Sequence, residues 1–158
     1  LYGPGDNYSY YSSHVLPALI RKFDEAKELK SKYVECLGSG NPLREFLFVD
    51  DLADACIFVI ENWIPSDKGK DQNINWLNVG SGEEISIKSL ALKIAKIFEY
   101  EGEIKWDIKK PDGTPRKILD SSKINQLGWK SKTTLDIGLM KTIMHYKLLK
   151  SQNKLRIS

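Results

Sequence analysis

Leu37-Gly38-Ser39-Gly40-Asn41-Pro42-Leu43-Arg44-Glu45-Phe46-Leu47-Phe48-Val49-Asp50-Asp51-Leu52-Ala53-Asp54-Ala55-Cys56 decides the fold class. The Gly-Ser-Gly run reads as a turn, because glycine tolerates left-handed backbone that other residues resist. Glu45 to Val49 reads as a short strand. Ala53, Ala55, Cys56, Val59 and Ile60 then follow helical spacing, with Asp50 or Asp51 placed to cap the helix. Turn, strand and helix in that order are the unit of an α/β protein.

The same alternation extends in both directions. Residues 1–13 are a Gly-, Pro-, Asn- and Tyr-rich loop, with Ser12 or Ser13 available as a cap. Val15, Leu16, Leu19, Ile20 and Phe23 predict a helix from His14 to about residue 30, with Pro17 in its first turn. Tyr33 to Leu37 is predicted as a strand, residues 64–73 as a solvated loop, and Trp76 to Val79 as a buried strand. Ser86 opens a helix through Leu90, Ile94 and Ile97, Glu103 to Asp107 is a further strand, and Ser122 to Leu127 is a short helix stopped by Gly128. Thr134 to Leu149 is the last long helix, and the tail after Ser151 is expected to fray. The expectation is an α/β fold with few short strands, residues 1–158 forming one domain.

Composition narrows the function classes. The chain has 158 residues, 41% hydrophobic and 28% charged, and a formal charge of +3. That length suffices for a real core, and that charge is too mild to imply nucleic acid. Cys36 and Cys56 have no metal-ligand spacing and read as two reduced thiols. No run approaches the roughly 18 apolar residues of a membrane span, and no secretory leader pattern is visible. A cytoplasmic protein with no membrane or nucleic-acid partner is the expectation. The chain opens in a turn motif on Leu rather than Met, as an excised fragment would.

Several side chains are placed to carry chemistry. His14 lies between a polar loop and a helix start, and reads either as a proton donor or ligand contact, or as a surface or capping histidine. Arg44 follows the Gly-rich turn; its planar fork suits phosphate, or else a salt bridge to Glu45, Asp50 or Asp51. Arg21 and Lys22 lie on the His14 helix, where one of them is able to share its face. Asp112 sits in Lys109-Lys110-Pro111-Asp112-Gly113-Thr114-Pro115-Arg116-Lys117, which by itself is an ordinary exposed turn. Asp50 and Asp51 read as capping residues and His145 as structural. Tyr146 and Lys150 have the spacing of a redox pair without its context. No Gly-x-Gly-x-x-Gly fingerprint follows any strand.

The motifs Leu1-Tyr2-Gly3-Pro4, Ser13-His14-Val15-x-Pro17-Ala18, Gly38-Ser39-Gly40-x-Pro42-x-Arg44-Glu45-Phe46-Leu47-x-Val49-Asp50-Asp51, Lys110-Pro111-Asp112-Gly113-Thr114-Pro115-Arg116-Lys117 and Leu127-Gly128-Trp129 resemble the GDP-L-fucose synthases of the extended short-chain dehydrogenase/reductase group. Nearly the whole chain shares the resemblance, which implies the C-terminal, substrate-binding part of such an enzyme, with the Rossmann half missing. It implies NADPH as cofactor, a GDP-sugar as substrate and a homodimer for the full-length enzyme. His14 corresponds to the acid of epimerisation, near the nicotinamide. Lys22, Leu37, Arg44 and Asp112 correspond to substrate contacts, Arg44 holding the diphosphate. Leu37 departs from the large aromatic of some members, and Leu1 ends the stretch that approaches the cofactor. The alternatives are another nucleotide-sugar epimerase or dehydratase, and a non-catalytic nucleotide-sugar binding module.

Overall fold

A computed structural model describes residues 1–65 and 76–156. In chain order the elements are α1 (Val15–Glu28), β1 (Tyr33–Leu37), β2 (Leu43–Glu45), α2 (Val49–Asn62), β3 (Glu84–Ser86), α3 (Ile87–Ile97), β4 (Glu103–Asp107), β5 (Arg116–Lys117), α4 (Ser122–Gln126) and α5 (Leu135–Ser151). β1 and β4 form a parallel pair, in register from Tyr33 opposite Glu103 to Leu37 opposite Asp107. The second sheet runs β3-β2-β5, with β2 antiparallel to β3 and parallel to β5.

The main core gathers one face from each of α1, α3 and α5. Leu16, Leu19, Ile20 and Phe23 of α1 meet Leu90, Ala91 and Ile94 of α3 and Leu139, Ile143 and Tyr146 of α5. Full burial of one such side chain favours the folded state by about 1.5–3 kcal/mol. β1 alternates as a strand on such a core must: Val34 and Cys36 point in, while Tyr33, Glu35 and Leu37 point out. A smaller cluster of Leu47, Ala55, Ile124 and Trp129 joins α2 to α4. There the Trp129 indole donates to Asp54 at 2.9 Å.

The Tyr146 and Lys150 spacing proves architectural. The Tyr146 hydroxyl donates to Asp24 at 3.1 Å, and Lys150 pairs with Asp24 and Glu28, which fastens α5 to α1. Burial, with Asp24 alongside, pushes the Tyr146 hydroxyl well above the usual phenol range.

Five expectations shift. β2 is Leu43–Glu45 rather than Glu45 to Val49, because Leu47 and Phe48 each turn into a different core cluster. Phe48 keeps only a single parallel bridge to Tyr2. α2 therefore starts at Val49, with Asp50 and Asp51 in its first turn and no side-chain cap. Trp76 to Val79 is irregular, with Trp76 64% exposed and Asn78 donating to the Asp120 carbonyl; no strand pairs with it among the described residues. His14, not Ser12 or Ser13, is the N-cap position of α1, and it makes no side-chain cap bond. The tail does not fray through residue 156: Asn153 adopts φ 54, Lys154 N–H returns to the Leu149 carbonyl, and the Arg156 carbonyl accepts from Tyr8 N–H. Residues 66–73 of the expected loop lie outside the described residues. The short strands β3 and β5 carry no sequence signal of their own.

Asp51 replaces the expected cap with a tertiary tie. Its buried carboxylate accepts from Lys132 N–H (3.1 Å), Thr133 N–H (2.9 Å) and the Thr133 hydroxyl (2.9 Å), which sets the entry to α5. Asp51→Asn keeps the shape but turns an amide NH2 toward donors, so urea denaturation should show a loss of about 1–3 kcal/mol. A loss within about 0.5 kcal/mol, the ordinary range of a surface change, would contradict this role.

Candidate functional site

β1 ends at Leu37, and the chain reverses through Gly38 (φ 78) and Gly40 (φ 75) into β2. Both glycines are required twice over. Their backbone is left-handed, and an added Cβ at Gly38 would collide with Asp112 Oδ1, while one at Gly40 would lie 2.7 Å from the Trp106 ring. Ser39 closes the turn onto the distant loop. Its N–H donates to Asp112 Oδ1 at 2.8 Å and its hydroxyl to Oδ2 at 2.6 Å. The two bonds from Ser39, hydroxyl first, hold the Asp112 carboxyl below the usual aspartate value of 3.8.

Arg44 makes a second closure beside the first. Its Nη1 donates to the Leu43 and Thr114 carbonyls, both at 2.7 Å. The side chain is half-buried and has no carboxylate partner among the described residues, so the salt-bridge alternative is not realised. Glu45 accepts instead from Gly82 N–H and Leu119 N–H, and Asp51 from residues 132 and 133. The guanidinium is thus a fixed fork whose Nε and Nη2 donate to no protein group among the described residues.

Lys22 reaches the same rim from α1. Its ammonium donates to the Glu35 carbonyl at 2.8 Å, which locks α1 alongside β1 two residues before Leu37. Leu37 is 62% exposed on the outward face of β1. Arg21 turns away: it stacks 3.7 Å over the Tyr10 ring and pairs with Glu25. Of Arg21 and Lys22, only Lys22 belongs to this rim.

His14 is the N-cap position of α1, which a four-residue connection joins to β1. His14 is exposed, and its imidazole makes no hydrogen bond among the described residues. The Asp6 carboxyl close to it is raised by burial, a rise that the His14 charge opposes, and its Oδ2 is buried without a partner. Leu1 is 66% exposed and lines a hollow of about 160 Å3 with residues 2–6 and Val49. Small-molecule sites usually enclose about 300–1,000 Å3. This hollow is smaller than that range.

The structure therefore joins Leu37, Arg44 and Asp112 at one turn and brings in Lys22 through Glu35. His14 and Leu1 are tied to that turn by no hydrogen bond among the described residues. Ser39, Thr114 and Glu45 were missed as candidates. The signal for Ser39 was its place between two glycines; a main-chain acceptor such as Thr114 leaves none. Two larger hollows, of about 440 and 480 Å3, lie against the start of α5 and between α3 and β4, and no arginine lines either. Among the described residues, no three His, Cys, Asp or Glu side chains are placed to hold a metal ion, and no helix is long and apolar enough to cross a membrane.

Residues 1–75 match the NAD dependent epimerase/dehydratase family. A probable GDP-L-fucose synthase 1 from Oryza sativa subsp. japonica is 49% identical over 146 residues, which cover 92% of this chain and 42% of that relative. A GDP-L-fucose synthase from Escherichia coli (strain K12) is 42% identical over 160 residues, covering 99% of this chain and 48% of that relative. The crystal structure of a GDP-L-fucose synthetase from Naegleria fowleri superimposes with a TM-score of 0.83 at 26% identity, over 98% of this chain and 45% of that one. The chain thus spans a little under half the length of the curated relatives it matches.

The Ser39–Asp112 latch has a pH signature. A carboxyl lowered in the folded state adds stability above its ordinary value of 3.8, and that stability is lost as pH falls through the lower folded value. The Ser39 amide proton shift should hold steady down to about pH 4 and move only below it. A midpoint at or above the ordinary aspartate value would show that the latch does not form in solution.

Proposed function

We propose that the chain belongs to the NAD dependent epimerase/dehydratase family, which its first 75 residues match. On that premise it is the substrate-binding portion of a GDP-L-fucose synthase, which converts GDP-4-keto-6-deoxy-D-mannose to GDP-L-fucose by 3,5-epimerisation and NADPH-dependent 4-reduction. The carrying observation is Arg44, a half-buried guanidinium oriented by two carbonyls and left without a carboxylate among the described residues. The names of the relatives support the GDP-sugar.

In this reading the free Nε and Nη2 of Arg44 take the diphosphate, a planar donor pair suited to two phosphate oxygens. An ammonium has three donors, so Lys22 holds Glu35 and still offers two to a phosphate. Asp112 spends one acceptor position of each oxygen on Ser39 and keeps the others for a base N–H or a sugar hydroxyl. Leu37 supplies an apolar wall. Epimerisation removes a proton beside the ketone and returns one to the opposite face; His14, with its imidazole free, donates the returning proton. The nicotinamide cofactor, when bound, supplies hydride for the 4-reduction, with Leu1 and His14 at its edge and Lys22, Leu37, Arg44 and Asp112 on the sugar and its diphosphate. A cytoplasmic location and a homodimeric whole enzyme belong to the same reading.

Calorimetric titration with GDP, UDP and NADPH tests it. The chain should bind GDP in preference to UDP and should not bind NADPH. Loss of charge-assisted hydrogen bonds worth about 1.5–3 kcal/mol should weaken GDP binding about 10- to 100-fold in Arg44→Ala. His14→Asn should leave GDP affinity within about twofold, since a proton donor to the sugar carbon contributes little to ground-state binding. Equal affinity for GDP and UDP, or an Arg44→Ala variant that binds GDP as tightly as the parent, would overturn the assignment.

A further inference from the structure

Arg44 occupies the middle of a three-residue strand, which is a weak support for a residue that must hold a fixed direction. β2 pairs with β5 at only two positions, Leu43 opposite Arg116 and Arg44 opposite Lys117. On its other side the ladder to β3 ends at Glu45 opposite Glu84. Backbone pairing therefore runs out at Arg44 on the β5 side and at Glu45 on the β3 side.

Glu45 is the last residue of β2. Its Oε2 accepts from Leu119 N–H at 3.0 Å, two residues beyond the last β5 pair. Its Oε1 accepts from Gly82 N–H at 2.7 Å, two residues before the last β3 pair. The side chain also packs on Gly80, where an added Cβ would lie 2.8 Å from the Glu45 Cδ. One half-buried carboxylate continues both ladders after the main chain has stopped doing so. Bonds from main-chain N–H to an ionised acceptor are among the stronger hydrogen bonds of a protein. The nearby Arg116–Glu84 pair at 2.8 Å is more exposed and joins β5 to β3 without touching β2.

We propose that Glu45 is the positioning residue for Arg44: its carboxylate fastens the chain on either side of β2 and so fixes where the guanidinium points. This rests on the diphosphate reading for its consequence in binding, but the fastening itself does not. Glu45→Gln keeps the shape and leaves one acceptor oxygen for two donors, so either Gly82 or Leu119 loses its partner. Glu84→Gln is the control, because it loosens the same sheet and spares both Glu45 bonds.

The test is NMR of the Arg44 Nε–Hε group with hydrogen exchange at Gly82 and Leu119, alongside GDP titration. In Glu45→Gln, exchange should accelerate at Gly82 or Leu119, the Arg44 Nε signal should shift and broaden, and GDP affinity should fall on the order of tenfold, the scale of a small misplacement of a binding group. Glu84→Gln should leave the Arg44 signal and GDP affinity unchanged. An Arg44 signal that is unaltered in Glu45→Gln, or altered equally in Glu84→Gln, would overturn the proposal. If the parent chain binds no GDP, the diphosphate reading fails alone, and the Arg44 signal still decides the role of Glu45. Should Glu45→Gln not fold, Glu45→Asp, with the charge kept and the reach shortened, is read against the same outcomes.

Discussion

The site depends on one constraint, the double closure between the turn at residues 38–44 and the loop at residues 112–115. Asp112 holds Ser39 by its N–H and hydroxyl, and Arg44 holds the Thr114 carbonyl. Neither segment has enough regular structure to fix itself. The turn consists of left-handed glycines, and the loop leads only to the two-residue strand β5. With both closures made, an arginine fork and a carboxylate face outward from a rim that the β1–β4 pair and α1 hold still.

Charge alone does not identify which residues matter. Lys27–Glu99 and Lys93–Asp136 are well-formed ion pairs, but they lie at the surface, where such pairs are worth little. The decisive contacts at the site join charged groups to main chain: Arg44 to two carbonyls, Lys22 to one, Glu45 and Asp112 to N–H groups. A main-chain partner cannot swing away as a surface side chain can. It also leaves the remaining valences of each charged group available to a ligand.

The long helices were legible in the sequence because their apolar residues repeat at helical spacing, and β1 and β4 because Val34 and Cys36, and Ile104 and Trp106, alternate with outward-facing residues. The β2 boundary was misread: Leu47 and Phe48 are apolar for two separate packing reasons, which imitate a strand when seen in one dimension. β3 and β5 were invisible, since three- and two-residue strands exist only through their partners. At the site, the residue types and the Gly-Ser-Gly turn were legible, and the resemblance supplied Leu37 and the roles expected of His14 and Lys22. The pairing of Asp112 with Ser39, 73 residues apart, was not, because no local pattern encodes a contact at that separation. The same holds for Glu45, whose two donors come from opposite sides of its strand.

The most direct measurement is a crystal structure of the chain grown with GDP. The diphosphate is expected on Nε and Nη2 of Arg44, with Nη1 still on the Leu43 and Thr114 carbonyls and Ser39 still on Asp112. A diphosphate bound elsewhere, or an Arg44 that abandons Thr114 to reach it, would contradict a site preformed by the two closures.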